Sequence, residues 1–288
     1  MRLLLTLPLG LLIGVALGAL GGGGSILAVP ALVYVVGLEP KSAVTTSLVI
    51  VGVTALGGMV GHLQAGRVRV GAGLWFGLAG VAGSLLGSRL NRAVDPKVLL
   101  VAFSGVMMIA AWRMWASARG RDRVLAKATA ATPGSVAMVE PLTPDPSLPT
   151  LMTPTRKTGQ RNLRQTVSLV AGVIAAGTVV GFMTGFFGVG GGFIIVPALV
   201  LALRFDMPIA VGTSLLVIAI NSGTALATRL ATTGVDWRVA VPFTIAGLVG
   251  ALTGNHLASR APSSTLIRWF AALLVAVAAY TLARSAAG

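Results

Sequence analysis

The stretch that decides the fold is a glycine run that occurs twice. The first copy reads Gly18-Ala-Leu-Gly-Gly-Gly-Gly-Ser-Ile-Leu-Ala-Val-Pro30, and the second reads Gly185-Phe-Phe-Gly-Val-Gly-Gly-Gly-Phe-Ile-Ile-Val-Pro197. Inside a helix, glycine costs about 1 kcal/mol relative to alanine, and proline costs about 3 kcal/mol. Each run therefore predicts a helix that stops, turns and restarts as a short half-helix with free backbone N–H groups. The residues expected to break the helices are Gly21, Pro30, Gly188 and Pro197.

The composition around these runs is that of a membrane protein. The chain is 55% hydrophobic and 10% charged, with a mean hydropathy of +0.91, whereas a soluble domain has roughly 25% charged residues. All seven acidic residues fall between or at the ends of apolar stretches, and these stretches reach the ~20 residues that a spanning helix needs. The sequence therefore predicts an all-α polytopic protein of the lipid bilayer.

The charge and the rare residue types exclude several function classes. The net charge of +15 comes mostly from residues in loops and at helix ends, which is typical of loops facing anionic lipid and does not indicate nucleic-acid binding. The chain has no cysteine and two histidines, so we expect no metal and no other cofactor. No Ser/His or two-carboxylate arrangement indicates an enzyme.

The repetition extends well beyond the glycine runs. Positions from Gly14 to Phe103 recur at a constant shift (197 − 30 = 167 residues), which indicates a duplicated unit. We predict a first transmembrane repeat over 1–117 and a second over 165–288. Each repeat has four full spans plus one short half-helix, which gives about eight to ten membrane helices. If the half-helices cross the membrane, the repeats are inverted; if they do not, the repeats are parallel.

Residues 118–164 interrupt the repeated pattern. The segment is rich in Pro, Thr and Ser and is flanked by Arg and Lys residues. Such a composition cannot bury enough apolar surface to offset its ordering entropy. We predict a flexible linker, and its basic flanks place it in the cytoplasm.

Neutral hydrogen-bond donors are the candidate ligands for a small anion. An unwound backbone at membrane depth is tolerated only where protein or a water-filled cavity satisfies it, and helix N-termini favour anions. The polar residues of the apolar stretches could instead cap helices or join them. The candidate substrate-binding residues are Gly23, Gly24, Ser25, Thr46, Ser47, Gly190, Gly191, Gly192, Thr213, Ser214 and Asn221.

Titratable residues are scarce in the predicted spans. No Asp or Glu lies within one, which favours a uniporter, a channel-like path or coupling through the charge of the substrate. His62 and Arg229 occupy matching positions near the ends of two corresponding helices. An interfacial position is the simplest account of both side chains, and a role in gating the substrate is the alternative.

Three motifs give the chain a resemblance to a known family. They are Gly188-Val-Gly-Gly-Gly-Phe-Ile-Ile-Val-Pro197, Ala210-Val-Gly-Thr-Ser-Leu215 and Gly234-Val-Asp-Trp237. Together they resemble the sulfite exporter TauE/SafE family. The resemblance implies a permease of the inner membrane that moves sulfite, sulfonates or related sulfur oxyanions. The first repeat departs from the pattern at Ser25, where the family motif has glycine, and at Arg67-Val-Arg69.

The resemblance leaves the anion, the direction of transport and the coupling ion open. It also leaves open whether copies of the chain form a homo-oligomer. The alternative function, from a different class, is a non-transporting membrane scaffold or sensor that binds a soluble partner through the linker.

Overall fold

The computed structural model describes residues 2–91, 94–130, 163–187, 192–230 and 234–287, and within these ranges it contains helices and no strands. The prediction of an all-α membrane protein is confirmed. The helices are α1 (Arg2–Leu20), α2 (Ser25–Pro30), α3 (Pro40–Gln64), α4 (Val70–Asn91), α5 (Pro96–Ala130), α6 (Leu163–Phe187), α7 (Gly192–Leu201), α8 (Met207–Arg229), α9 (Trp237–Arg260) and α10 (Ser263–Ala287).

Seven of the described helices, α3 to α6 and α8 to α10, are long and apolar enough to cross a membrane. The apolar part of α1, Thr6–Leu20, is shorter, as are α2 and α7. Helix α5 continues to Ala130, so the first residues assigned to the linker are helical. The reason is local, because 118–130 is rich in Ala, Arg and Lys, which favour helix, and the first proline comes later, at Pro133. Residues 131–162 of the predicted linker lie outside the described ranges.

The contacts between the glycine faces of the helices show which helices run in the same direction. A Cβ on Gly14 would overlap the backbone of Gly247, and one turn later a Cβ on Gly18 would overlap the backbone of Ala251. Helices α1 and α9 therefore run in the same direction. The same reasoning makes α4 and α6 parallel, because Gly181 lies against Gly80 and Gly185 lies one turn later against Ser84. Small residues allow this close approach.

Helix α3 fixes the relation between the two halves. Gly58 lies beside Ala251 and Gly61 beside Asn255, so α3 is parallel to α9 and hence to α1. Because α1 and α3 point the same way, the segment between them must return the chain to the side from which α1 started. In contrast, α3 is antiparallel to α8, since Gly52 faces Ser222 whereas Gly58 faces Leu215. The short segment containing α2 therefore crosses back through the bundle.

These directions define two sides of the bundle. The terminal side is the one where α1 begins and α10 ends. The linker side is the one where α5 ends and α6 begins, and the α3–α4 and α9–α10 connections also lie there.

The first glycine run ends α1, whereas the backbone stays helical past both prolines. Gly21 has a left-handed φ of 71°, which glycine adopts without a Cβ penalty, and α1 ends one residue earlier. Pro30 lies inside α2, and the chain continues as a π-helical turn over Ala31–Val35. Pro197 lies inside α7. At Pro30 the α-helix changes to a π turn without a break in the helical backbone, and α7 continues through Pro197, so the expectation that these prolines break helices is corrected.

Candidate functional site

The two glycine runs meet inside the bundle. Gly22 lies so close to Gly192 that a Cβ on Gly22 would overlap the Gly192 carbonyl. A Cβ on Gly192, in turn, would overlap the Ser25 hydroxyl. Because Gly18 is level with Ala251, near the middle of α9, α1 ends within the bundle and not at its surface. The start of α2 and the start of α7 therefore face each other at depth.

A cavity of about 510 Å³ adjoins this meeting point. It lies between α2, α3 and α10, and α5 and α8 contribute one residue each. Most of the lining is aliphatic. The polar lining residues among those described are Ser25, Ser47, Ser222, Tyr280 and Thr281, and no charged side chain lines the cavity.

Two of the cavity's serine hydroxyls, those of Ser25 and Ser47, donate to backbone carbonyls three residues before them. Ser25 Oγ donates to the carbonyl of Gly22 at 2.7 Å, and Ser47 Oγ donates to the carbonyl of Val44 at 2.7 Å. A hydroxyl has one proton and two lone pairs. To donate to an anion, each side chain must exchange its backbone bond for the ligand, which gives weak and reversible binding.

Two of the predicted ligands, Thr46 and Thr213, accept backbone N–H groups. Thr213 Oγ1 accepts the backbone N–H of Arg69 at 3.1 Å, and Thr46 Oγ1 accepts the N–H of Asp236 at 3.1 Å. Both threonines are fully buried, and neither lines the cavity. Each one ties the loop before a long helix to the helix that it crosses. Each hydroxyl keeps its own proton while it accepts, so Thr46 and Thr213 remain predicted donors, although neither lines this cavity.

The remaining candidates in the second half lie behind the cavity. Ser214 is fully buried, donates to the carbonyl of Val211 at 2.8 Å and lies against Gly21. Asn221 belongs to α8, and its buried Oδ1 has no hydrogen-bond partner among the described residues. The neighbouring Ser222 lines the cavity. Gly188, Gly190 and Gly191 lie outside the described residues.

The turn in the first half packs tightly on both faces. Gly23 lies against Leu273 of α10, and Gly24 lies against the backbone of α1 at Ile13 and Leu17. Of the first-half candidates, Ser25 and Ser47 line the cavity, and Gly23 and Gly24 lie in the turn that precedes Ser25. Sequence reasoning missed Tyr280 and Thr281, because nothing in a polar pair near the end of an apolar helix distinguishes a lining residue from an interfacial one.

The cavity occupies only the terminal-side half of the bundle. Val44 and Leu48 line it from the first turns of α3, and both are partly exposed. The residues at the matching positions of α8 are Val211 and Leu215, which are fully buried. The cavity is therefore accessible from the terminal side and closed from the linker side.

The comparisons with known proteins agree with this architecture. The family described as "Sulfite exporter TauE/SafE" matches residues 6–281. A "Probable membrane transporter protein" of Xylella fastidiosa (strain 9a5c) is 35% identical over 286 residues, which cover 98% of this chain and 96% of that protein. The "Probable membrane transporter protein YunE" of Bacillus subtilis (strain 168) is 24% identical over 285 residues and covers 96% of each chain.

No solved structure significantly matches the chain. The family match extends over nearly all of the described helices, including both glycine turns. The relatives align along their length and carry names that state membrane transport. The chain is therefore a membrane transporter that belongs to the sulfite exporter TauE/SafE family.

Proposed function

We propose that this transporter moves a small sulfur-containing anion, such as sulfite or a sulfonate, through the cavity between its two halves. The observation that carries the proposal is the meeting of Gly22 and Ser25 with Gly192 beside that cavity. This arrangement brings glycine backbone and hydroxyl groups to one place at depth. The family name supports the class of anion.

The chemistry of the lining suits an anion that must be released. The cavity offers the hydroxyl groups of Ser, Thr and Tyr side chains and no Lys or Arg among its described residues. A buried cation would bind the anion strongly, whereas conduction requires binding weak enough to let the ligand leave. The aliphatic remainder of the wall would accommodate the carbon chain of a small sulfonate as readily as bare sulfite.

The packing of the helices supports two inverted repeats. At a shift of 167 residues, α1 corresponds to α6 and α4 corresponds to α9 (70 + 167 = 237). Helix α1 packs on α9, and α4 packs on α6, so the two contacts are the same contact made twice. The corresponding pair α3 and α8 are antiparallel neighbours. This is the arrangement expected when the repeats are related by a twofold axis in the membrane plane.

The distribution of basic residues supports a cytoplasmic linker side. Among the described residues, loops and helix ends carry nine Lys and Arg residues on the linker side and seven on the terminal side. The nine are Arg67, Arg69, Arg119, Arg121, Arg123, Lys127, Arg164, Arg204 and Arg260. The seven are Arg2, Lys41, Arg89, Lys97, Arg229, Arg238 and Arg284. Positive charge favours the cytoplasmic face of the inner membrane. The linker side would then be cytoplasmic, and the cavity, on the terminal side, would open away from the cytoplasm.

Flux measurements in proteoliposomes test the proposal. We expect radiolabelled sulfite to enter vesicles containing the protein faster than protein-free vesicles, and a small sulfonate to compete. Ser25→Ala should lower the flux several-fold, because it removes a hydroxyl at the meeting point. Gly105→Ala is the control, since nothing lies within 4 Å of that position. A parent flux equal to that of empty vesicles, or a loss seen only with Arg229→Gln, would refute the proposal.

A further inference from the structure

His62 is a buried histidine near the linker-side end of α3. It is the single titratable side chain that is buried among the described residues, with 1% of its surface exposed. Its Nε2 lies 3.4 Å from the carbonyl of Gly18, in the last turn of α1. Its Nδ1 is buried and has no hydrogen-bond partner among the described residues. Leaving a buried polar group without a partner is unfavourable.

The position of His62 connects it to the cavity and to the closed side. Gly18 is three residues before the turn at Gly21, from which the chain enters α2 and the cavity wall. On the other face of His62 lies Gly212, and a Cβ there would come within 3.0 Å of the His62 Cβ. The imidazole thus belongs to the seam where the ends of α1 and α3 press on the start of α8. This seam closes the linker side.

The charged and titratable groups around the seam are few. Helices α1 and α8 present no titratable residue to His62, because their only charged residues, Arg2 and Arg229, lie at the opposite ends. Arg67 follows in the α3–α4 loop, and its carbonyl adjoins Gly212. Helix α9 contributes His256, which is exposed in a linker-side recess shared with Arg67 and Asn255. No carboxylate of the described residues lines this recess.

We propose that His62 is the proton-binding site that controls the linker-side seam, with the proton entering from the recess of Arg67, Asn255 and His256. This inference rests on the proposed transport function and adds a coupling ion to it. A neutral imidazole fits the dry seam. The imidazolium has two N–H donors and a full charge. Among the described residues its hydrogen-bond partner is the Gly18 carbonyl, and the nearest carboxylate along α8 is that of Asp206, at the N-cap, which makes no hydrogen bond to His62. Protonation therefore favours a seam opened to water, because burying an unpaired charge is costly.

The opened seam gives the linker side access to the meeting point of the glycine turns. One proton bound at His62 would then accompany the charge of one anion through the cycle. The matching position in the other half holds Arg229, which is exposed at the terminal side. A buried histidine of this kind is therefore found at the linker side and has no counterpart at the matching position. A histidine is suited to this role because its ordinary pKa lies near 6.5.

Thiol labelling tests the conformational part without any substrate. The chain has no cysteine, so Val211→Cys provides one reporter at a fully buried position of the seam. At each pH, the rate at which a membrane-impermeant maleimide added at the linker side labels this thiol is divided by the rate for the same reporter in the His62→Gln background. We expect this normalised rate to be several-fold higher at about pH 5.5 than at about pH 8. That division removes the pH dependence of thiol reactivity. His256→Gln should keep the response, and a normalised rate that is the same at both pH values would overturn the inference.

A direct titration guards against a variant that fails to fold. The chain has two histidines, so the His256→Gln protein labelled with ¹³C-histidine reports His62 alone by NMR. We expect its resonance to titrate together with the labelling of Val211→Cys, and a resonance that stays constant between about pH 5 and pH 8 would overturn the inference.

Proteoliposome measurements then separate the inference from the proposed function. With a permanently ionised sulfonate as the probe, a proton should move with the anion in the parent and not in His62→Gln. Absent flux together with a pH-dependent seam would refute the proposed function alone. Flux without His62-dependent proton movement would refute the inference alone.

Discussion

At the scale of single residues, the two buried threonines of α3 and α8 show that a matched pair of hydroxyls can be structural. Thr213 accepts the backbone N–H of Arg69, and Thr46 accepts that of Asp236. We predict that Thr213→Val lowers the free energy of unfolding by about 1–3 kcal/mol, because the buried N–H loses its acceptor. Sulfite affinity, measured on the folded protein, should stay within twofold of the parent.

Thr224→Val is the matched control for that change. Thr224 lies on the same helix, is exposed and bonds only to carbonyls of its own helix. Its replacement should leave both the unfolding midpoint in detergent and the affinity unchanged. If Thr213→Val instead lost sulfite affinity while keeping its stability, the structural assignment of this hydroxyl would be wrong.

The second residue-scale prediction concerns the contact between the two turns. Gly22→Ala adds a methyl group where the Gly192 carbonyl lies, so the turns must separate. We expect loss of sulfite flux with at most a modest fall in stability. Gly71→Ala is the control, because nothing lies within 4 Å of its added Cβ. Normal flux in Gly22→Ala would show that the turns need not touch for transport.

At the scale of helices, glycine faces hold the two halves together. We predict that Gly14→Ala and Gly181→Ala destabilise the protein to a similar extent, by about 1–3 kcal/mol, because each methyl group presses on the backbone of the facing helix. Gly172→Ala, on α6 with nothing within 4 Å, should be neutral. Unfolding in mixed detergent micelles measures all three. A large difference between the first two variants would count against equivalent interfaces.

The positions of the helices could be predicted from the sequence more easily than the contacts between their side chains. The turn at Gly21 could be predicted because four successive glycines disfavour a helix in any context. The helical course through Pro197 could not, because tertiary packing in a fully buried helix overrides the local cost of proline. The backbone partner of Thr213 could not be predicted for a related reason. A buried hydroxyl on one helix has the same sequence signature whether its partner is an anion or a distant backbone N–H.

At the scale of the whole molecule, the predicted linker is tested by deletion. Its density of proline and polar residues gives it little to pack against. Removal of residues 131–153 leaves α5, which runs to Ala130, intact. We expect membrane insertion and sulfite flux close to those of the parent. A variant that inserts normally but loses its flux would show that the segment takes part in transport, and one that fails to insert would show that it is structural.

The last prediction concerns the two sides of the molecule. The helix directions place both chain ends on one side and the α5–α6 connection on the other, so tags at the ends and in the linker should react with impermeant reagents from opposite faces of the membrane. Leu48→Cys, in the cavity wall, should be labelled rapidly from the terminal side in the absence of substrate.

The matched reporter for the closed side is Leu215→Cys. Leu215 occupies the corresponding position of the other half and is fully buried, so its thiol should be protected when no substrate is present. If the two halves exchange roles during transport, saturating sulfite should slow labelling of Leu48→Cys and speed that of Leu215→Cys. Equal labelling of both thiols from both faces would indicate an open pore, because a channel-like path exposes its two halves at the same time whereas alternating access exposes one at a time.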